Sequence, residues 1–139
     1  MDISILNARK AIETVEMAIS YMQLGPFIRR MRGKVMEVNV PLMYNGFVLD
    51  EIHINPETGE PSPKGCPVAV PIECQIRELQ PILENLHAIH AVEFRLPENA
   101  WVVPLAWKEY IVAHVRVSAD GKELMPDYRL TEEVRRNVM

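Results

Sequence analysis

The chain has few cysteines and glycines, and it has no long apolar run. Two cysteines in 139 residues are too few for a disulfide scaffold. The six glycines form neither a phosphate-binding loop nor a dinucleotide-binding loop, and no catalytic nucleophile motif is present. Charged residues interrupt the stretch 1–22, so it is typical of neither a signal peptide nor a membrane span. We therefore expect a cytoplasmic protein without a membrane segment.

Length and charge narrow the class of protein further. A chain of 139 residues predicts a single domain, spanning residues 1–139. A domain of this size can bury a core without disulfides or metals. The net charge is −4. An acidic chain argues against broad nucleic-acid binding, because domains that bind nucleic acids are usually basic.

Apolar residues near the start follow the periodicity of a helix. Steps of three and four residues place one stripe on a single helical face: Ile5, Ala8, Ile12, Val15, Ile19 and Met22. Gly25 and Pro26 then end the helix, since glycine favours a left-handed cap and proline cannot continue the hydrogen-bond ladder. The stripe predicts an amphipathic helix that buries one face against a sheet or against a second copy.

A hairpin is predicted in the next part of the chain. Apolar and polar residues alternate over 34–40, which is typical of a half-buried strand. The pair Asn45-Gly46 is a strong signal for a two-residue turn, and residues 47–54 form the return strand. Such a turn predicts two cross-strand pairs: Tyr44 with Phe47 and Val38 with His53.

The middle of the chain is harder to interpret. Residues 26–33 predict a short helix, because proline suits a first helical position and glycine an end. Residues 55–67 are rich in proline and glycine and predict a long loop, which is often functional. The following stretch fits both a strand and a helix. Pro81 favours a strand at 68–77 and a helix at 81–89, because proline damages a helix interior.

The last third of the chain predicts strands and a final helix. Alternation indicates a strand near 92–96, and strands are also predicted near 101–106, 109–118 and, after the turn signal Asp120-Gly121, 122–128. Thr131, followed by two acidic residues, predicts the start of a short C-terminal helix. Together the elements predict an α+β fold: a mainly antiparallel sheet of about six to seven strands, an N-terminal amphipathic helix, one middle helix and a short C-terminal helix.

Four residues form a candidate metal site. His87 and His90 lie three apart at the end of the predicted middle helix, and Cys66 and Cys74 precede them. Thiols and imidazoles together can bind zinc in a tetrahedral site. No two cysteines have the close spacing of a zinc motif, so we predict no cofactor and keep zinc as the alternative.

A second group of residues predicts acid–base chemistry. On the strand 109–118, His114 and Arg116 point to one face, and Glu51 and His53 share a face of the first hairpin. If these strands are neighbours, the four side chains converge. A histidine beside a carboxylate and an arginine suits an anionic substrate, with the loop 55–67 as a lid. An ordinary solvated sheet face gives the same pattern.

A basic cluster stands out in this acidic chain. It comprises Arg29, Arg30, Arg32 and Lys34, with no acidic residue among them. Clustered arginines can bind phosphate or carboxylate groups, or an acidic partner. A solvated turn whose arginines pair with carboxylates elsewhere has the same sequence.

Surplus apolar segments predict self-association. The segment 101–106 carries Trp101 and Val103 and contains Pro104, which marks an edge strand or a bulge. An exposed apolar edge strand tends to pair with another chain unless a partner already packs against it. Ile12 and Ile19 of the first helix are the other candidates for an interface.

The leading hypothesis is therefore a small non-catalytic interaction module. It self-associates, most simply as a dimer, and binds a partner protein or an anionic ligand through the basic cluster. A small enzyme with a histidine acid–base site is the alternative, and a metal-binding protein is the second alternative.

Overall fold

A computed structural model describes residues 3–138 of the chain. Within this range the protein has two α-helices, α1 (Ile3–Ile19) and α2 (Tyr128–Val138), and ten β-strands in two antiparallel sheets. The strands of the first sheet are β1 (Gln23–Leu24), β2 (Ile28–Arg32), β3 (Val35–Tyr44), β4 (Phe47–Ile54) and β5 (Ala69–Pro71). The strands of the second sheet are β6 (Leu86–Ala88), β7 (Glu93–Arg95), β8 (Ala100–Trp107), β9 (Tyr110–Ser118) and β10 (Leu124–Met125).

One long strand organises each sheet. In the first sheet, β3 pairs with all four other strands. In the second, β8 pairs with β6, β7 and β9, and β10 is added to the far edge of β9. The α+β class and the antiparallel pairing are confirmed. The expected single sheet of six to seven strands is wrong, because several strands have only two or three residues, too few to produce a recognisable alternation.

The first hairpin forms as predicted, but its register changes along the strands. Asn45 and Gly46 adopt positive φ angles of 54° and 86°, as the turn requires. Tyr44 lies opposite Phe47, as expected. A bulge between Leu42 and Met43 then shifts the pairing, so that Val38 faces Ile54, and Asn39, not Val38, faces His53.

The N-terminal helix is confirmed, although its buried face is rotated. Ala11, Val15 and Ala18 are buried, and Ile12 and Ile19 are only partly buried. The small alanines let α1 pack closely against β6, β8 and β9. The main core lies between α1 and the inner faces of both sheets. No helix within residues 3–138 is long and apolar enough to cross a membrane.

Two predicted helices are absent from the described chain. Residues 28–32 form β2, which pairs with β3 along its whole length. In place of the helix 81–89, a short 3-10 turn, Leu83–Asn85, leads into β6, whose Leu86 faces Trp107 of β8. Pairing with a long neighbouring strand overrides the weak local preference in both places. The strand predicted at 68–77 is shortened to the three residues of β5.

The segment around Pro104 is internal, not an edge. Strand β8 has β9 on one side and β6 and β7 on the other, with the expected bulge between Leu105 and Ala106. Pro104 faces the gap between β6 and β7, where its carbonyl accepts a hydrogen bond from Ile89. Its missing N–H therefore interrupts no strand pairing.

The C-terminal helix starts three residues before the expected Thr131. Asp127 caps it, since its Oδ1 accepts the N–H of Leu130 at 3.0 Å. Thr131 instead anchors the helix to β4, because its Oγ1 accepts the N–H of Val48 at 3.0 Å. Helix α2 covers the outer face of the first sheet, where Leu130 packs with Val134 and Val48.

Candidate functional site

Asp50 joins the two sheets where β4 lies beside β9. Its Oδ2 accepts the backbone N–H of His114 at 2.8 Å. Its Oδ1 accepts hydrogen bonds from Lys64 Nζ at 2.7 Å and from the Glu51 N–H at 2.8 Å. Three donors thus hold one largely buried carboxylate, which fixes the position of Lys64.

Lys64 comes from the predicted loop 55–67, which is hydrogen-bonded to β9 at two points. The Tyr110 hydroxyl donates to the Pro61 carbonyl at 2.7 Å, and the Lys64 N–H donates to the Ile111 carbonyl at 2.8 Å. Burial raises the pKa of Tyr110, so its hydroxyl keeps the proton that it donates. These bonds to β9 bring the lysine to the junction of the two sheets.

A concave opening of about 240 Å³ lies at this junction, and we call it the polar cleft. Charged and titratable side chains from both sheets and the neighbouring loops line it: Asp50, Lys64, Arg95, Glu98, His114, Arg116 and Asp127. Leu49 and Val102 supply the apolar part of the wall. The cleft therefore collects residues that are distant in sequence.

The arginines of the polar cleft are loosely held. Arg116 donates to the Pro126 carbonyl at 3.3 Å and lies 3.6 Å from Glu98. Arg95 lies 3.8 Å from Glu93. Because a guanidinium carries five N–H donors, both arginines keep donors for another acceptor.

Two of the three carboxylates in the polar cleft already have firm partners. Asp50 accepts the three hydrogen bonds described above, and Asp127 caps α2. Glu98 faces Arg116 at a distance longer than a hydrogen bond. The three acidic and three basic side chains of the cleft balance in formal charge. Most of its polar groups without a firm partner are N–H donors of the arginines.

His114 contributes a neutral ring to the polar cleft. Burial lowers its pKa, and the positive charges of Lys64 and Arg95 lower it further, against the opposing effect of Asp50 and Glu93. The described residues include no hydrogen-bond partner for its ring. At neutral pH the imidazole therefore presents one donor and one acceptor to whatever occupies the cleft.

The predicted catalytic set is only half assembled. His114 and Arg116 share the polar cleft. His53 bonds through Nδ1 to Asn39 Oδ1 at 2.7 Å, and burial, followed by the charge of Lys64, lowers its pKa. Glu51 forms an ion pair with Arg30 of β2. Asp50, Lys64 and Arg95 were not predicted as site residues, because nothing in the local sequence distinguishes them.

Arg30 of the predicted basic cluster is tied into the fold. Its Nε and Nη2 donate to the two Glu51 oxygens at 3.0 and 2.6 Å, and its Nη1 and Nη2 donate to those of Glu133 at 3.1 and 2.6 Å. We call this group the Arg30 clasp. These hydrogen bonds raise the pKa of Arg30 and lower that of Glu133. The clasp holds α2 to the first sheet.

The rest of the basic cluster is exposed. Arg29 and Arg32 lie on β2, and Lys34 follows in the turn to β3. Strand β2 pairs only with β3 among the described strands, so it is an edge. Charged side chains on an edge strand discourage pairing with other chains, which gives these residues a role without a ligand.

The four candidate metal ligands do not come together. Cys66 is exposed and Cys74 is partly buried. His87 lies on the exposed side of β6, and His90 contacts Glu16 at 3.3 Å on the surface. Among residues 3–138, no three His, Cys, Asp or Glu side chains are grouped so that they could hold a metal ion.

The four candidate interface residues belong largely to the chain's own packing. Val103 is fully buried in the core and offers no surface to a second copy. The indole N–H of Trp101 donates to the Ala119 carbonyl at 2.9 Å, and its ring packs edge-on against Phe94. Ile12 and Ile19 are partly buried beside the core.

The fold and the site together define an α+β protein with a charged cleft where its two antiparallel sheets meet. No protein-family model, curated protein or solved structure matches this chain.

Proposed function

We propose that this protein is a small binding module whose polar cleft takes a small anionic ligand bearing a carboxylate or phosphate group. One observation carries the proposal. Lys64, Arg95 and Arg116 reach a single opening of about 240 Å³ from three different elements, beside the neutral ring of His114.

Hydrogen-bonding capacity supports an anion in spite of the balanced charge. The Asp50 and Asp127 carboxylates are engaged by protein donors, whereas Arg95 and Arg116 retain unused N–H groups. A planar guanidinium fork matches the two oxygens of a carboxylate or phosphate. Partial burial of these groups strengthens such contacts relative to open water.

The size of the polar cleft limits the ligand. A volume of about 240 Å³ lies below the range of roughly 300–1,000 Å³ typical of pockets for drug-sized molecules. We therefore propose a compact ligand with one or two acidic groups. A macromolecular partner would have to insert a single acidic side chain.

A catalytic role has less support than binding. Asp50 holds the backbone of His114 and not its ring, so no carboxylate orients the imidazole as an acid–base pair requires. Among the described residues that line the polar cleft there is no serine or cysteine to act as a nucleophile.

Titration with inorganic phosphate and with succinate, followed by amide NMR spectra, tests the proposal. Saturable shifts are expected at the amides of Arg95, Leu96 and Glu98 and at those of residues 114–116. Arg116→Gln removes the charged fork and should weaken binding about tenfold, which corresponds to about 1.4 kcal/mol. Arg77→Gln is the matched control, because Arg77 is exposed and outside the polar cleft.

Two results would overturn the proposal. One is the absence of saturable shifts at these amides with either probe. The other is equal affinity in Arg116→Gln and the unaltered protein.

A further inference from the structure

Helix α1 carries a second apolar face that its own chain leaves uncovered. Its members follow steps of three and four residues along the outside of the helix and just past its end: Ile3, Leu6, Lys10, Glu13, Met17 and Tyr21. We call this row the outer seam. Its apolar members are 72%, 47%, 76% and 73% exposed, in chain order.

The outer seam has no role in the core of the monomer. The core uses a different face of α1, formed by Ala11, Val15 and Ala18. The exposed apolar members form two pairs, Ile3 with Leu6 and Met17 with Tyr21, on either side of Lys10 and Glu13. Soluble monomers expose single apolar residues freely, but apolar groups gathered on one face and bordered by polar residues are typical of a binding surface. A seam with steps of three and four is the contact pattern of paired helices.

The order of residues along the outer seam is self-complementary. When two copies of α1 are placed antiparallel about a point between residues 11 and 12, Ile3 meets Ser20 of the other copy and lies one position from Tyr21. Leu6 then meets Met17, and Lys10 meets Glu13. A two-fold axis repeats each contact, so the lysine–glutamate pair forms twice. A parallel arrangement would instead oppose lysine to lysine at the centre.

Neighbouring charges favour the same arrangement. Arg9 and Lys10 precede Glu13 and Glu16 along α1. This order opposes the helix dipole, which favours acidic residues near the start and basic residues near the end. Within one chain, Arg9 and Glu13 lie four residues apart on the helix, and Glu16 contacts His90 at 3.3 Å. In an antiparallel pair, however, the basic half of each helix lies against the acidic half of the other.

The three most exposed apolar side chains outside the outer seam, among the described residues, show no such pattern. Met31, Leu96 and Tyr128 are 63%, 81% and 76% exposed, but they lie singly on β2, on a turn and on α2. Met31 therefore provides a control of matched chemistry away from the outer seam.

From these observations we infer that the outer seam binds the α1 helix of a second copy of this chain in antiparallel orientation, giving a two-fold dimer. This interface differs from the one predicted from the sequence, which used Ile12, Ile19 and the segment around Trp101.

Sedimentation velocity over a range of protein concentrations tests the dimer. The unaltered protein should shift from monomer to dimer as concentration rises. Met17→Glu places a charge in the apolar row and should leave only monomer over that range, whereas Met31→Glu should dimerise normally. Thermal melts of both variants check that the monomer is folded. An unaltered protein that stays monomeric up to its solubility limit, or an undiminished dimer in Met17→Glu, would overturn the inference.

Charge exchange tests the orientation. Glu13→Lys opposes lysine to lysine twice across the axis and should weaken the dimer about tenfold. Adding Lys10→Glu restores both pairs in exchanged form and should recover most of that loss. A double variant as weak as Glu13→Lys would refute the antiparallel arrangement. So would a single variant that dimerises as well as the unaltered protein.

Discussion

The Arg30 clasp and the polar cleft use the same residue types for opposite purposes. In the clasp, one guanidinium makes four hydrogen bonds to Glu51 and Glu133. In the cleft, Arg116 donates to one carbonyl and faces Glu98 at 3.6 Å. Both side chains are partly buried, so burial alone does not separate a structural arginine from one that can bind a ligand.

Arg30 and Arg116 differ in how many of their N–H donors already have an acceptor. A guanidinium already held by two carboxylates has little to offer a third acceptor, and removing it leaves buried charge without a partner. A loosely held guanidinium can exchange its weak contacts for those of a ligand. The comparison predicts that changes at the clasp affect stability and that changes at the polar cleft affect binding.

Arg30→Met should have the largest effect on stability. The change leaves Glu51, which is 8% exposed, without its partner and frees α2 from the first sheet. We expect a loss of about 2–3 kcal/mol, below the range for fully buried pairs because Arg30 and Glu133 are partly solvated. Urea unfolding measures this loss. Arg29→Met, on the same strand but exposed, should change the stability by less than about 0.5 kcal/mol.

Phosphate binding by the same two variants tests whether Arg30 also contributes to an anion site. Arg30→Met should bind phosphate with unchanged affinity at a temperature where it is folded. A large loss of affinity without a loss of stability would show that Arg30 belongs to a binding site, as the sequence predicted.

Asp50→Asn should have the next largest effect. The amide keeps the shape of the side chain but loses the charge that attracts Lys64, and its NH₂ group replaces one of the two accepting oxygens. We expect a loss of about 1–3 kcal/mol from the unpaired groups. Glu57→Gln, an exposed change of the same kind, is the control. Equal stability of the two variants would mean that Asp50 does not hold the sheets together.

Those parts of the fold that depend on local signals were predictable from the sequence. Asn45-Gly46 specifies its turn through the positive φ angles that few other residues accept, and the alternation over residues 113–118 of β9 matches the burial of their side chains. β2 and β6 were not predictable, because each is defined by its pairing with a longer strand. The bulge after Leu42 likewise leaves no local mark.

The site was predicted only in part for a similar reason. His114 and Arg116 were found because they lie two apart on one strand and so share a face. Asp50, Lys64 and Arg95 join them through the packing of β4 against β9 and the course of the loop 55–67. The spacing of these residues in the sequence does not indicate that the two strands pack together. Arg30 looked like a ligand-binding residue because its partners are 21 and 103 positions away.

Acidification should lower the stability of the protein through its histidines. Burial lowers the pKa of His53 and of His114 below the usual value of 6.5. The unfolded chain therefore takes up more protons than the folded protein as the pH falls through 6.5, and the free energy of unfolding decreases. Glu133, whose pKa is also lowered, adds to the loss only below about 4.5.

His114→Gln isolates the contribution of the polar cleft to this pH dependence. Denaturant unfolding at a series of pH values between 7.5 and 5.5 should give a shallower slope for the variant than for the unaltered protein. His87→Gln changes an exposed histidine and should leave the slope as it was. A slope unaffected by His114→Gln would mean that the ring is not desolvated in the cleft.

The smallest effect is expected at the exposed edge of β2. The double variant Arg29→Ser, Arg32→Ser removes two exposed charges and leaves the Arg30 clasp intact. Phosphate affinity, measured by the same NMR titration, should change by less than about twofold, because exposed and screened charges contribute little at a distance. The variant also loses the long-range attraction between these two charges and phosphate. This loss should lower the measured affinity only at low salt. A loss as large as that of Arg116→Gln at physiological salt would place the anion site on the edge strand, and the loosely held arginines of the polar cleft would then be part of the fold, as Arg30 is.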